Sequence, residues 1–192
     1  MQLIDFVHYC SCFICQSVRS SKHWELISTG GSPFLRLVKT YEFRNLPSRK
    51  SPVVNSNFID LTIGNDPSSA DHGCGELCSV EYHVVFNESY GVPMLLFNIY
   101  REYLGRMNME DTWDALELSK EASSSKQYET LTMVEHPLLF RPFLCLHPCK
   151  TNDILSSLKS GNPIITFLST YGRFVNLNVS DLPTYDCEFG ES

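Results

Sequence analysis

Residues 81–100 read Glu81-Tyr82-His83-Val84-Val85-Phe86-Asn87-Glu88-Ser89-Tyr90-Gly91-Val92-Pro93-Met94-Leu95-Leu96-Phe97-Asn98-Ile99-Tyr100. Two runs rich in β-branched, aliphatic and aromatic side chains are joined by the polar stretch 88–91, which predicts a hairpin. Side chains of this kind suit the centre of a sheet. Pro93, near the start of the second run, fits a first position or an edge.

Working outward, residues 24–27 and 33–43 read as strands flanking the Gly30-Gly31 turn. In the second of them Leu35, Leu37, Tyr41 and Phe43 alternate with Arg36, Thr40 and Glu42. Lys39 is the exception on the apolar side. That alternation predicts a sheet with one wet face. Residues 3–18 repeat apolar groups at Leu3, Phe6, Val7, Cys10, Phe13, Ile14 and Val18, the spacing of one helix face. Asn108 and Asp111 open a second helix with Met109, Trp113, Leu116 and Lys120 on one face, closed at 123–125. Residues 128–139 read as an irregular crossing. Asn162 and Pro163 begin a further helix carrying Ile164, Phe167, Leu168 and Tyr171, with Gly172 as its C-cap. The rest of the chain reads as extended. There is no regular strand–helix alternation and no glycine-rich phosphate loop, so the prediction is an α+β domain with a mostly antiparallel sheet.

The 192 residues are 43% hydrophobic and carry a formal charge of −7, with a pI of about 5.3. This suits one domain, residues 1–192, with a full core, and argues against a nucleic-acid footprint. A composition rich in Pro, Ser, Asn, Asp and Gly marks about 45–79 as a flexible insertion, broken only by 57–63. The longest apolar run, 92–97, is far short of the roughly 20 residues of a membrane span. The N-terminus has an acid and no base where a signal peptide would carry lysine or arginine, so a cytoplasmic protein with reduced cysteines is expected. His8, Cys10, Cys12 and Cys15, then His72, Cys74 and Cys78, lack the paired C-x2-C knuckles of a zinc site. No metal or other cofactor is predicted.

Chemistry concentrates in 141–152: Arg141-Pro142-Phe143-Leu144-Cys145-Leu146-His147-Pro148-Cys149-Lys150-Thr151-Asn152. Residues 143–146 predict a buried strand that stops where Pro148 removes a backbone donor. Thr151, Asn152 and Asp153 are N-cap types, Ile154, Leu155 and Leu158 supply an apolar stripe, and Gly161 is a stop. Cys149 therefore sits between a strand end and a helix start. The helix dipole and Lys150 favour its thiolate, which is the setting of a nucleophile. The plainer reading is a small residue in a tight turn. Cys145, inside the strand, is expected in the core.

The segments Glu135-His136-Pro137-Leu138-Leu139, Arg141-Pro142-Phe143 and Leu146-His147-Pro148-Cys149-Lys150-Thr151-Asn152 closely resemble the autophagy conjugating enzymes of the ubiquitin-like cascade. Tyr82-His83-Val84 with 89–97 is similar to that family's central hairpin, and Asp111-Thr112-Trp113 to its following helix. The resemblance covers about 81–182. It implies a ubiquitin-conjugating-enzyme-like domain, a sheet flanked by helices. Cys149 would be the thioester nucleophile. Separately from the resemblance, His147 lies two residues from it, on the same side of an extended chain, as a supporting group that either hydrogen-bonds the turn or does acid–base work. The implied partners are the ubiquitin-like modifier autophagy protein twelve, the activating enzyme autophagy protein seven, and autophagy protein five, whose lysine accepts the modifier.

Ordinary ubiquitin-conjugating enzymes carry His-Pro-Asn before the cysteine, and that asparagine supports the oxyanion. Here His147-Pro148 leads straight into Cys149, which leaves Asn152, Asn87 and Asn98 as candidates for the role. Tyr128 stands where relatives are expected to have tryptophan. Three other readings compete: a lipid-conjugating relative that transfers a modifier to phosphatidylethanolamine, a cysteine hydrolase using His83 or His136, and a binding module with an inert Cys149. The hairpin is expected to offer unpaired strand edges to the acceptor protein, with Glu88 and Arg101 as its charged markers.

Overall fold

The hairpin forms, and it is longer than its most apolar residues suggest. The structure, a computed structural model, describes residues 1–19, 23–28, 32–44, 46, 75–118, 131–146 and 161–183. In chain order the elements are α1 (Leu3–Arg19), β1 (Glu25–Ile27), β2 (Phe34–Phe43), β3 (Glu76–Asn87), β4 (Val92–Arg101) and β5 (Gly105–Arg106), followed by α2 (Met109–Ala115), β6 (Leu131–Glu135), β7 (Pro142–Leu146) and α3 (Pro163–Tyr171). The strands form one sheet in the order β1-β2-β3-β4-β7-β6, with β5 attached to β4. Every pairing is antiparallel, so the α+β class read from the sequence holds.

Alternation along the strands sends side chains to two unlike faces. Leu35, Leu37, Val80, Tyr82, Val84, Leu95, Phe97, Ile99, Leu144 and Leu146 point to the side covered by the three helices, where Phe6, Cys10 and Phe13 of α1 and Ile164, Phe167 and Leu168 of α3 meet them. Phe34, Val85, Leu96, Phe143 and Cys145 form a smaller cluster on the other side, closed by Leu138 and Leu139. Among the described residues no helix contributes to this second cluster.

Asn162 caps α3 as expected, its Oδ1 accepting from the Ile164 N–H at 2.9 Å. The other end of its amide donates to the Tyr9 carbonyl at 2.8 Å, so one side chain both starts α3 and ties it to α1. Gly172 does end α3, but with helical φ of −58° rather than a left-handed cap. A Cβ there would meet the Leu177 carbonyl at 3.0 Å, and close approach is therefore what requires glycine. Lys39, out of place in the alternation, is ion-paired with Asp181. Asp181 also accepts from the Tyr41 hydroxyl at 3.2 Å, and its carbonyl accepts from the Trp24 indole N–H at 2.9 Å.

Several expectations are corrected. Strand β3 begins at Glu76, so the end of the 45–79 stretch is sheet, with Cys78 and Val80 facing the core. Helix α2 stops at Ala115, short of the expected 123–125, as the chain turns through Glu117 at φ 55°. The crossing at 128–139 contains a strand, β6. The chain after α3 makes two 3-10 turns, Gly172–Val175 and Val179–Asp181. The hairpin is also not an open edge. Strand β3 pairs with β2 on one side and β4 on the other, and β4 pairs beyond with β7 and β5. Arg101, named above as a charged marker of the hairpin, grips Glu76 with two hydrogen bonds of 3.1 and 2.6 Å and is a packed ion pair. No described helix is long and apolar enough to cross a membrane.

Candidate active site

Strand β7 is the last described element before Cys149. It lies between β4 and β6, with Leu96 opposite Cys145, Phe97 opposite Leu144 and Leu131 opposite Leu146. Leu146, three residues before Cys149, is buried against the helix-side core. The strand expected at 143–146 is therefore present and fixed in register on both sides. Cys149, His147, Lys150, Asn152, Tyr128 and the helix expected after 151 lie outside the described residues.

Cys145 is a core residue. The residue is 1% exposed, and its thiol donates to the Leu146 carbonyl at 3.1 Å and is pushed up to about 12 by burial. Cys10 is likewise pushed up to about 12 by burial, and the thiol of Cys78 is raised, chiefly by burial. A thiolate nucleophile is disfavoured at all three positions. In α1, Cys10 points into the core, while Cys12 lies 3.7 Å from His8 Nε2 on the outer side. Among the described residues no group of three His, Cys, Asp or Glu side chains is arranged to hold a metal ion. His72 and Cys74 lie outside them.

Two of the oxyanion candidates can be placed. The Asn98 amide donates to the Pro142 carbonyl at 3.1 Å, at the end of β7 away from Leu146, and the residue is 1% exposed. It is committed to holding β7 on β4. Asn87 shapes the hairpin turn, its Oδ1 accepting from the Tyr90 N–H at 3.1 Å while its amide nitrogen makes a 3.7 Å contact with Met94 Sδ. Gly91 closes that turn at φ 62°, a conformation glycine adopts without strain.

The two histidines considered for a hydrolase are buried together on the helix-free face. His83 and His136 are both 0% exposed, with ring centroids 5.0 Å apart, and each stacks against Phe34 and Phe143 at 4.8 to 5.2 Å. His136 Nδ1 accepts from the Leu138 and Leu139 N–H groups at 3.1 Å each, so the ring proton sits on Nε2. Burial first, then the neighbouring titratable ring of His83 and the charge of Arg141, hold this imidazole at about 4, well below the usual histidine value. His136 is thus a neutral clasp for the turn between β6 and β7, and His83, also lowered by burial, is its neighbour in the stack. Neither is oriented as a general base by these contacts.

Glu81 is the residue whose role the sequence did not announce. It is 7% exposed, and its Oε1 accepts from Arg36 Nε at 3.1 Å, His83 Nε2 at 3.2 Å and Arg141 Nη2 at 3.1 Å. Its Oε2 accepts from the Tyr100 hydroxyl at 3.2 Å. The His83 hydrogen bond first, then those guanidinium groups, hold its carboxyl at about 2 in spite of burial. One carboxylate thereby joins β2, β3, β4 and the start of β7. The available signal was a polar pair, Glu81 and His83, on a strand read as a sheet centre, with Arg36 opposite on the neighbouring strand.

The likeness to known proteins follows the same architecture. The family described as "Autophagocytosis associated protein, active-site domain" matches residues 5–182. The ubiquitin-like-conjugating enzyme ATG10 of Homo sapiens is 36% identical over 115 residues, which are 54% of this chain and 51% of that protein. ATG10 of Dictyostelium discoideum is 32% identical over 119 residues, 52% of this chain and 51% of that protein. These matches span about half the length of the curated relatives. The crystal structure of the autophagic E2 Atg10 superposes with a TM-score of 0.52 at 13% identity, covering 93% of this chain and 98% of that one, a likeness of fold. With the antiparallel sheet, the strand that leads to Cys149 and a match from residue 5 to residue 182, the chain belongs to the autophagocytosis-associated protein active-site family.

Proposed function

We propose that the chain is a ubiquitin-like-conjugating enzyme and that Cys149 is its nucleophile. The observation that carries this reading is the family match over 5–182, an active-site domain whose span includes Cys149. Three buried cysteines with raised thiols, among them Cys145 only four residues away, support choosing Cys149.

In this reading the Cys149 thiolate attacks the thioester carbonyl that joins the C-terminal glycine of autophagy protein twelve to the cysteine of the activating enzyme, autophagy protein seven. That cysteine leaves as a thiolate, and the modifier is now held on Cys149. A lysine amine of autophagy protein five then attacks the new thioester. An isopeptide bond forms, the amine gives up its proton, and the Cys149 thiolate departs. Each step passes through an oxyanion that needs donors, and with Asn98 committed to holding β7 the remaining candidates are Asn87 and Asn152. His147 supports the turn that presents Cys149. The reaction takes place in the cytoplasm, in one domain whose insertion starts at about 45 and ends where β3 begins.

Reconstitution tests this. The chain is incubated with the modifier, the activating enzyme and ATP, and the products are separated with and without reducing agent. The expected product is an adduct that reductant removes, followed by modified acceptor when autophagy protein five is added. Failure to form the adduct with an active activating enzyme would sink the proposal. Transfer to phosphatidylethanolamine vesicles instead of autophagy protein five would reassign the acceptor.

A further inference from the structure

The outer face of α1 carries a group of side chains that the conjugating reading does not use. Cys12-Phe13-Ile14-Cys15 sets two cysteines three apart on one helix, and His8 lies one turn before the first of them. Positions 8, 12 and 15 recur at i, i+4 and i+7 and therefore share a face. That face points away from the sheet. His8 and Cys15 are exposed and Cys12 is half-buried, whereas Phe6, Cys10 and Phe13 are buried in the core. Cys12 Sγ lies 3.7 Å from His8 Nε2, a contact in which an unprotonated Nε2 accepts the thiol proton. Arg19, one turn beyond Cys15, brings an exposed cation to the same ridge. Asp5, the only acid of α1, is engaged at the helix start, where it accepts from the Gln2 N–H at 2.9 Å.

Two cysteines three apart in an α-helix have Cα atoms about 5 Å apart, inside the roughly 4.4–6.8 Å that a disulfide spans. Their Cβ atoms start about 5–6 Å apart and must close to about 3.8 Å. A turn drawn in towards 3-10 geometry, where i and i+3 eclipse, supplies that closure. The same turn carries Phe13, whose ring meets Trp24 edge-on at 5.2 Å, so packing resists the closure. A disulfide held against such resistance is readily reduced, which suits a reversible site rather than a structural staple. Cys10 does not compete, because it points into the core and burial pushes its thiol up to about 12.

We propose that Cys12 and Cys15 form a peroxide-sensitive dithiol that closes reversibly into an intrahelical disulfide. The Cys12 sulfur attacks one oxygen of hydrogen peroxide as its proton passes to His8. The O–O bond breaks, and the departing hydroxide takes that proton and leaves as water, with Cys12 now a sulfenic acid. The Cys15 sulfur then attacks the Cys12 sulfur. The S–S bond forms, the S–O bond breaks, and a second water carries away the Cys15 proton. Two thiols have lost two electrons, and one peroxide has gained them. Exchange with reduced glutathione restores both thiols. This chemistry does not depend on the assignment of Cys149.

The full chain is exposed to hydrogen peroxide, unfolded in N-ethylmaleimide and digested with trypsin, which releases residues 1–19 as one peptide because Arg19 is the first basic cleavage point. The expected product is that peptide two hydrogens lighter, with a single alkylated cysteine that fragmentation places at Cys10. Treatment with reduced glutathione before alkylation should remove it. Cys12→Ser and Cys15→Ser, both changes on the outer face, should each abolish it. His8→Gln should slow its appearance about tenfold, less than the roughly hundredfold of an enclosed base because water competes. A disulfide from Cys12 or Cys15 to any other cysteine, no product at peroxide levels that oxidise free glutathione, or an unchanged rate in the His8→Gln chain would overturn the proposal.

Discussion

The two faces of the sheet solve burial in different ways. On the helix side, α1 and α3 cover the strands, and the core is built from Phe6, Phe13, Tyr82, Phe97, Ile99, Ile164 and Phe167. Charge enters there mainly at the border, where Lys39 meets Asp181. On the other side the described cover is one turn, too small to bury a strand face with apolar groups alone. Glu81, His83 and His136 fill the space, and they are tolerable because Glu81 receives four donors and both imidazoles stay neutral. Where a helix is available, area stabilises. Where it is not, a hydrogen-bonded ionic cluster holds the strands together, and its strength depends on protonation.

This contrast can be broken most forcefully on the helix side. Phe97, fully buried at the centre of β4, should lose about 3–5 kcal/mol on Phe97→Ala, measured by urea unfolding at neutral pH. A loss under 1 kcal/mol would mean that the helices do not pack as described.

The ionic face should reveal itself through pH. His136 is held at about 4 in the fold, so between its unfolded value near 6.5 and 4 the unfolded chain binds the extra proton and stability falls as pH falls. The full span is worth about 3 kcal/mol. Glu81, held at about 2, adds stability that is complete above 4.5 and is lost as pH falls from 4.5 towards 2. Unfolding free energy should therefore decline from pH 7 to pH 4 and further below it. Glu81→Gln should lower stability at neutral pH and flatten the decline below 4.5. Equal stability of the parent at pH 7 and pH 4 would contradict the buried neutral imidazole.

A smaller effect of opposite sign belongs to the turn on the same face. Phe140 sits at φ 50° with 76% of its surface exposed, so its side chain adds strain and little burial. Phe140→Gly should raise stability by about 1 kcal/mol in thermal unfolding. A loss would show that the ring packs against something.

Much of this was legible in the chain. The hairpin, α1 and α3 announce themselves because one face of each is consistently apolar and because Asn162-Pro163 starts a helix by its own chemistry. Strand β6 escaped because it is a sheet edge whose Met133 is 45% exposed, which blurs the alternation. The first residues of β3 escaped because Ser79 and Gly75 lend them the composition of the loop before them. Glu81 escaped for a deeper reason. Its importance lies in four donors brought from β2, β3, β4 and the start of β7, and no local pattern records such a meeting. Cys149 is the reverse case. Its neighbours Pro148, Lys150 and Thr151 state a chemical setting in the sequence itself, and what the fold adds is a rigid strand ending at Leu146.

The conjugating reading stands on one thiol, and replacing it is the most direct test. With the modifier, the activating enzyme and ATP, Cys145→Ala should still form an adduct that reductant removes, after a stability loss of about 1 kcal/mol. Cys149→Ala should form none, and Cys149→Ser should trap an oxyester that resists reductant and that mass spectrometry places on residue 149. A reductant-sensitive adduct on the Cys149→Ala chain, or its loss in a folded Cys145→Ala chain, would contradict the account.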